Sequence, residues 1–145
     1  GKRQSNLPFK SPMEALISAS IVEKETGKPE ERPLIAAVVV NRLQKGMPLQ
    51  MDPTVIYGLG NRFDGNIRKK DLSDPSPYNT YTHKGLPPTP IALASAESLY
   101  AILHPAHSNA LYFVAKGNGT HYFSENLEEH NAAVQQYQLG GKAQQ

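Results

Sequence analysis

Residues 20–27, Ser-Ile-Val-Glu-Lys-Glu-Thr-Gly, place two carboxylates at the end of an otherwise apolar predicted helix, just before a glycine. A carboxylic acid in that position feels the negative end of the helix macrodipole, which disfavours ionisation and raises its pKa. A glutamic acid that stays protonated near neutral pH is the proton donor that cleavage of a glycosidic bond requires. The ordinary alternative is a solvated glutamate at a helix end. Two segments further along the chain, residues 49–58 and 78–81, favour the catalytic interpretation over this alternative.

The helix that ends in this stretch has a clear beginning. Ser11-Pro12-Met13-Glu14 is a capping box with proline at the first helical position, and Gly27 is the predicted stop. Apolar residues on most of its sides predict a central helix that neighbours surround. Its predicted inner stripe is Met13, Leu16, Ile17 and Ile21, and its outer side is Ala15, Ala19 and Val22.

Composition limits the class of protein. The chain has 145 residues, which is enough for one domain with a substantial core, and 39% of them are hydrophobic. The net charge of +2 is too small to indicate binding of nucleic acid, and the absence of cysteine excludes disulfides and thiolate chemistry. No metal site is expected, because Pro105 breaks the helix that would align His104 with His107.

The remaining pattern predicts an α+β fold, with helices packed around a small antiparallel sheet and a long ordered loop region between the second and third helices. Further helices are predicted from Glu30 or Pro33 to Lys45, over Ser95–Leu103, and from a Ser124 cap through Tyr137. Short helical turns are expected at Pro53–Tyr57 and near Asp71, and strands at Leu111–Ala115 and Thr120–Phe123. We expect residues 1–10 to be a linker or tag remnant, 11–139 the catalytic domain and 140–145 a C-terminal tail.

Carboxylates are the leading candidates for chemistry. Enzymes that cleave glycosidic bonds usually pair an acid with a base or nucleophile. Helical spacing does not choose between Glu23 and Glu25, although Glu25 is favoured by a small margin because it lies closer to the helix end. The candidate acids are Glu23 and Glu25, then Glu30 and Glu31, and the candidate second carboxylates are Asp52 and Asp64.

A polar segment rich in proline and glycine supplies the groups that recognise sugars. Sugars are bound through hydrogen bonds to their hydroxyl groups and through aromatic faces under their rings. The same residue types also form Asx-turns, caps and half-buried tyrosines, which is the competing structural interpretation. The hydrogen-bonding candidates are Gln50, Asp52, Thr54, Asn79 and Thr80, and the aromatic ones are Tyr57, Tyr78 and Tyr81.

Several motifs follow one another along the chain in an order that resembles one family. They are residues 20–26, 41–43, 49–50, 52–58, 78–81, 85–88, 111–115 and 130–131. In this order they are similar to the MltG (YceG-like) endolytic murein transglycosylases. The resemblance covers nearly the whole chain, from Ser11 to about Tyr137.

This resemblance implies an enzyme that cuts nascent peptidoglycan strands internally, between N-acetylmuramic acid and N-acetylglucosamine, and leaves 1,6-anhydromuramic ends. It implies a site arranged as in lytic transglycosylases or lysozyme, with Glu25 as general acid and then base. Neither cofactor nor metal is implied, since the muramic C6 hydroxyl attacks C1 from within the substrate. The residues expected to shape the glycan cleft are Gln50, Asp52, Thr54, Tyr57, Asn79, Thr80 and Tyr81.

Members of this family are typically anchored in the bacterial inner membrane by an N-terminal helix and carry a LysM-like region. The sequence is therefore expected to be the catalytic domain alone, facing the periplasm or cell-wall side, with membrane contact only through a missing anchor. Peptidoglycan strands are the expected partner, with cell-wall synthases as partners of the full-length protein. Two alternatives stay open. One is a hydrolytic muramidase that uses Asp52 as base or stabiliser, and the other is a non-catalytic glycan-binding scaffold of cell-wall synthesis complexes.

Overall fold

A computed structural model describes residues 7–139, in which five α-helices enclose the core and a two-stranded antiparallel sheet packs against two of them. The helices are α1 (Pro12–Glu25), α2 (Arg32–Lys45), α3 (Asp52–Leu59), α4 (Ala96–Leu103) and α5 (Leu127–Val134), and the strands are β1 (Tyr112–Ala115) and β2 (His121–Ser124). Short 3₁₀ turns occupy Pro29–Glu31, Gly60–Arg62 and Lys69–Ser73, and a π-helical turn occupies Gln135–Leu139. The predicted α+β class is confirmed. No helix within this part of the chain is long and apolar enough to cross a membrane.

Helix α1 is the central helix that its sequence predicts. The Ser11 hydroxyl accepts a hydrogen bond from the backbone N–H of Glu14, and the whole run 17–22 is buried against α2 and α4. The predicted inner stripe is partly wrong, because Met13 and Leu16 are 53% and 37% exposed. The Glu14 carboxylate accepts from the backbone N–H of Lys10 instead of closing the predicted capping box.

Helix α2 lies beside α1 and carries the most apolar segment of the chain. Residues 35–40 are buried, as expected for a helix covered on several sides. It ends at Gly46, whose φ of 71° is the left-handed conformation that glycine adopts readily at helix C-termini. The predicted end of this helix at Lys45 is confirmed.

The segment rich in proline and glycine is ordered, as predicted. Helix α3 is longer than the expected turn at Pro53–Tyr57, and the Lys69–Ser73 turn stands where one is predicted near Asp71. Two buried threonines join the ends of this segment, because the hydroxyl groups of Thr54 and Thr80 lie 2.8 Å apart. This hydrogen bond holds the start of α3 against the loop that follows residue 79.

Strands β1 and β2 form a hairpin in which Phe113 faces Phe123 across the ladder. The connection contains the predicted Asn-Gly pair, and its glycines at 117 and 119 have φ values of 93° and 88°. The prediction that Ser124 caps the last helix is wrong. Ser124 is buried at the end of β2, and the Asn126 side chain caps α5 by accepting from the backbone N–H of Glu129.

The predicted boundary at residue 10 also needs correction within the described residues. Phe9 is 4% exposed and belongs to the hydrophobic core, and Leu7 packs against that core. The end of the predicted linker is therefore part of the packed domain. The other predicted ends, residues 1–6 and 140–145, lie outside the described residues, and so does the predicted stop at Gly140-Gly141.

Gly27 has a different role from the predicted helix stop. Helix α1 ends at Glu25 and is capped by Thr26, whose backbone N–H and hydroxyl both donate to the Val22 carbonyl oxygen, at 3.0 and 2.7 Å. A Cβ atom at residue 27 would lie 2.7 Å from the backbone carbonyl oxygen of Gly119 in the hairpin turn. Gly27 is therefore needed so that the hairpin can approach the end of α1.

Replacing Gly27 by alanine should destabilise the protein by about 1–3 kcal/mol, because backbone must move to relieve the clash. Chemical denaturation measures this change, and amide NMR spectra of residues 116–120 should shift with it. Gly46→Ala is the matched control. A Cβ atom at residue 46 would meet nothing within 4 Å. Gly46→Ala should therefore lose only the stability that its positive φ costs, and the NMR signals of the hairpin should not shift. Unchanged stability and unchanged hairpin signals in Gly27→Ala would refute the close approach.

Candidate active site

The end of α1 opens into a cleft of about 310 Å³. Its walls come from α1, α2, the 49–52 segment that leads into α3, Tyr81, strand β1 and the beginnings of β2 and α5. The lining residues that carry polar or aromatic groups are Glu25, Arg42, Gln50, Asp52, Tyr81, Tyr112, Phe113, His121 and His130. Several parts of the chain thus bring hydrogen-bonding groups and aromatic rings around one carboxyl group.

Glu25 is the last residue of α1 and lines the cleft. Within residues 7–139 its carboxyl group has no hydrogen-bond donor and no cationic partner. Burial, and secondly the negative charge of Asp52, raise the pKa of Glu25 to about 8. The predicted direction of the shift is confirmed, and burial is its main cause. This carboxyl group is therefore largely protonated at neutral pH.

Glu23 lies two residues away on the same helix and has the opposite environment. Its carboxylate accepts from the backbone N–H of Ser95 at 3.0 Å and from the Ser98 hydroxyl at 2.7 Å. These hydrogen bonds lower the pKa of Glu23 to about 2. Glu23 is thus an ionised anchor for the N-terminus of α4, where a negative charge is favourable. The structure separates the two glutamates that helical spacing left equivalent.

Asp52 faces the cleft at the first turn of α3. The Tyr81 hydroxyl donates to its Oδ1 at 2.7 Å, and this pair closes the wall beside Glu25. Burial and the nearby charge of Asp52 raise the pKa of the Tyr81 hydroxyl above its usual range, so that it remains a donor. Asp64, the other predicted second carboxylate, pairs with Arg68 on the surface and does not line the cleft.

Gln50 has a strained backbone beside the cleft. Its φ of 53° is the single positive value among the non-glycine residues of the described chain. The flanking residues, Leu49 and Met51, are buried, whereas Gln50 is exposed and lines the cleft. Residues held in the left-handed region cost free energy and are enriched at functional sites.

Four of the predicted sugar-contacting residues do not line the cleft. Thr54, Asn79 and Thr80 are at most 1% exposed, and the structure places their side chains inside the protein rather than on the cleft surface. Their polar groups hold the protein together, since Thr80 accepts from the Met51 backbone N–H and the Asn79 amide donates to the carbonyl oxygens of residues 71, 72 and 74. Tyr57 is exposed but packs on Tyr78 outside the cleft.

Arg42, Tyr112 and His130, which were not among the predicted site residues, form one cluster in the cleft. The Arg42 guanidinium donates to the carbonyl oxygens of Leu111 and Pro48, and its carbon lies 4.9 Å from the centroid of the Tyr112 ring. His130 stacks on the same tyrosine at 5.0 Å. Burial, and secondly the Arg42 charge, lower the pKa of His130, so that its ring stays neutral. All three residues lie within motifs that carry the family resemblance, and this resemblance was the signal in the sequence that could have indicated them.

A fourth cleft residue, His121, is clamped by Glu31. The Glu31 carboxylate accepts from the His121 backbone N–H at 2.7 Å and lies 2.8 Å from its ring nitrogen Nδ1. Both side chains are 12% exposed. Glu31, predicted as a remote candidate acid, thus holds a histidine instead. No group of three or more His, Asp or Glu side chains within the described part of the chain is arranged to hold a metal ion.

Comparison with known proteins places the sequence in a family. The model of the YceG-like family matches residues 1–136. The chain belongs to the YceG-like family. It is 48% identical over 122 residues to the endolytic murein transglycosylase of Bacillus subtilis strain 168, an alignment that covers 84% of this chain and 34% of the relative.

More distant relatives and one solved structure agree with this family. The endolytic murein transglycosylase of Streptococcus pneumoniae strain D39 is 38% identical over 130 residues, which covers 86% of this chain and 23% of the relative. The crystal structure of a YceG-like protein from Listeria monocytogenes superposes with a TM-score of 0.79 at 46% identity, covering 86% of this chain and 40% of that one. The YceG-like chain thus spans about a quarter to a third of the length of its curated relatives.

Replacing Glu25 by glutamine should stabilise the protein at alkaline pH. The pKa of Glu25 is about 8 when folded and about 4.5 when unfolded, so its contribution to stability is fully present below pH 4.5 and is lost as the pH rises through 8. Glutamine stays neutral, so the stability gain of the variant should grow from pH 4.5 to 8 and vanish at pH 4. Chemical denaturation across this range measures it.

Glu23→Gln is the matched control on the same helix. The pKa of Glu23 is depressed, so its stabilisation is present above about pH 4.5 and is lost as the pH falls through 2. This variant should therefore be less stable than the wild type at pH 6 to 8. If both variants lose stability equally at pH 8, the distinct environments of the two glutamates are wrong.

Proposed function

We propose that this chain is the catalytic unit of a peptidoglycan lytic transglycosylase, with Glu25 as its acid and base. The observation that carries the proposal is a carboxyl group with a pKa of about 8, which faces a cleft lined by aromatic and hydrogen-bonding side chains. The names of the relatives from Bacillus subtilis and Streptococcus pneumoniae support the same reaction class.

Glu25 acts first as general acid. Its protonated carboxyl group donates to the oxygen of the bond between N-acetylmuramic acid and N-acetylglucosamine, so that this oxygen leaves as a hydroxyl group. A carboxylic acid whose pKa lies near the working pH is suited to this transfer. The negative charge of Asp52, which also raises the pKa of Glu25, favours the positive charge that develops at C1 of the muramic sugar.

Glu25 then acts as general base. Now ionised, it accepts the proton of the muramic C6 hydroxyl as the C6 oxygen bonds to C1. The product is a 1,6-anhydromuramic end, and Glu25 returns to its protonated form. The balance requires neither water, protein nucleophile, metal nor cofactor, which agrees with one uncommitted carboxyl group in the cleft. Asp52 is already engaged by the Tyr81 hydroxyl.

The glycan is held by residues on both sides of Glu25. Gln50, Asp52 and Tyr81 supply hydrogen bonds from one wall. Tyr112, which contacts the Arg42 guanidinium and the His130 ring, lies on the other wall. This arrangement, with one acid at the end of a buried helix, is the lysozyme-like feature that we propose for the site. Thr54, Asn79 and Thr80 act by supporting the wall that carries Gln50 and Asp52.

A hydrolytic muramidase is the second candidate, because Asp52 lies in the same cleft and is close enough to raise the pKa of Glu25. In that reaction Asp52 would activate water or stabilise the intermediate, and the product would carry a reducing end. We favour the lyase, because the Tyr81 hydrogen bond occupies Asp52 and the relatives are named transglycosylases. A glycan-binding scaffold without activity would need no protonated glutamate.

The wider biology follows the relatives and is likewise proposed. The longer relatives leave room for an inner-membrane anchor and for contacts with cell-wall synthases outside this chain. The catalytic unit would then face the periplasm or cell-wall side and end nascent glycan strands there. We propose that this unit includes residues 7–10, which pack with the core, as well as residues 11–139.

Glu25→Gln should reduce release of anhydro-ended fragments from uncrosslinked peptidoglycan by at least about 100-fold, because glutamine cannot donate or accept the proton. Mass spectrometry of the digest measures these fragments. Glu30→Gln, an exposed neighbour outside the cleft, is the matched control and should retain activity.

The digest also separates the alternatives. Products that contain an added water and a reducing end would identify a hydrolase. Binding of the strands without cleavage by the wild-type chain, or by a membrane-anchored form, would favour a scaffold. Full activity of Glu25→Gln in an anchored form would refute the assignment of Glu25.

A further inference from the structure

The contact between Glu31 and His121 joins parts of the chain that are 90 residues apart. Glu31 ends the turn before α2, and His121 begins β2. Each carboxylate oxygen of Glu31 contacts one nitrogen of His121. Oε2 accepts from the backbone N–H, and Oε1 lies against Nδ1 of the ring. The two interactions fix both the position of the strand and the rotation of the ring.

This clamp also fixes where the proton of the neutral ring lies. An ionised carboxylate only accepts hydrogen bonds, so Nδ1 must carry the proton in order to bind it. The lone pair of the neutral ring is then on Nε2. Within residues 7–139 Nε2 has no hydrogen-bond partner, and it is not among the polar atoms sealed from solvent. When the ring is neutral, contact with Glu31 therefore leaves Nε2 as an acceptor without a partner in these residues.

The acceptor belongs to the cleft of Glu25. His121 lines that cleft, with its ring packed edge-on against Phe113 at 5.1 Å. The other ionisable groups on the walls are Glu25, Arg42, Asp52, Tyr81, Tyr112 and His130. The mechanism proposed above uses neither His121 nor Glu31.

A fixed acceptor matches a group that only donates. Sugar hydroxyl groups both donate and accept, so either form of the ring would serve them and fixing the proton would gain nothing. The amide N–H of an N-acetyl group can only donate. We infer that His121 binds an N-acetyl amide N–H of the glycan through Nε2, and that Glu31 is the positioning residue that holds this acceptor. This inference rests on the function proposed above.

Glu31→Gln tests the role of the carboxylate with little change of shape. Glutamine offers one acceptor oxygen and one NH₂ group. Because the backbone N–H of His121 can only donate, it takes the oxygen, and the NH₂ group then faces Nδ1. The proton of the neutral ring must move to Nε2, which turns the acceptor into a donor. Two donors, Nε2–H of the ring and the amide N–H of the glycan, would then face each other, so Glu31→Gln should weaken glycan binding by about tenfold.

The affinity for glycan is measured at pH 8 by calorimetry with soluble uncrosslinked peptidoglycan strands. All proteins carry Glu25→Gln as the background, so that the strands are bound but not cleaved. Glu25→Gln/Glu31→Gln should bind about tenfold more weakly than Glu25→Gln alone, whereas Glu25→Gln/Glu30→Gln should bind equally. ¹⁵N NMR of labelled histidine should show the His121 proton on Nδ1 in the background protein and on Nε2 with Glu31→Gln. Thermal unfolding confirms that each variant is folded.

His121→Phe is a second variant, which keeps an aromatic ring between its neighbours and removes both nitrogens. It should weaken binding about tenfold, and its control is His104→Phe, since His104 stacks on Tyr100 away from the cleft. The strands should also shift the Nε2 signal of His121 in the background protein.

The outcomes separate this inference from the proposed function. Equal binding by the Glu31→Gln protein, with the proton moved to Nε2, would overturn the amide contact while leaving the function intact. An unmoved proton would overturn the role of Glu31. Failure of the Glu25→Gln protein itself to bind the strands would overturn the proposed function and this inference together.

Discussion

The site depends on one constraint, which is that the carboxyl group of Glu25 is partly buried and, within residues 7–139, receives neither a hydrogen-bond donor nor a cation. Burial of such a group disfavours its charge, and Asp52 adds repulsion, so the proton stays bound near neutral pH. The protein must supply this environment only two residues from Glu23, whose pKa is lowered to about 2. The raised pKa costs stability as the pH rises, a cost that the proposed catalytic role of Glu25 would explain.

The rest of the fold supplies the walls of that environment. Glu23 fixes the end of α1 by binding the N-terminus of α4, which leaves Glu25 directed to the cleft. Gly27 allows the hairpin turn to approach the end of the same helix. The buried hydroxyl pair of Thr54 and Thr80 fixes the segment that carries Asp52. Each contact joins distant parts of the chain and acts on the site through geometry.

Local signals in the sequence predicted the elements well. Ser11 and Pro12 mark the start of α1, Gly46 marks the end of α2, and the Asn-Gly pair marks the hairpin, because each feature acts through its own backbone. The same reasoning chose Ser124 as a cap when Asn126, two residues later, performs that role. Caps of similar chemistry cannot be ranked without knowing where the preceding strand ends.

The site was predicted less completely than the fold. Gln50, Asp52 and Tyr81 do line the cleft with Glu25, but residue type does not reveal whether a hydroxyl or amide turns inward. The polar groups of Asn79 and Thr80, for example, bond to the protein itself, and their residue types alone did not indicate this. The clamp between Glu31 and His121 spans 90 residues, a distance at which helix and strand periodicity carry no information.

Direct titration of the Glu25 carboxyl group is the measurement that tests this account most closely. ¹³C NMR of the chain labelled at glutamate carboxyl carbons, with the Glu25→Gln protein used to assign the signal, follows its ionisation between pH 3 and 10. We expect a midpoint near pH 8 for Glu25. A midpoint at or below the ordinary value of about 4.5 in the folded protein would contradict it.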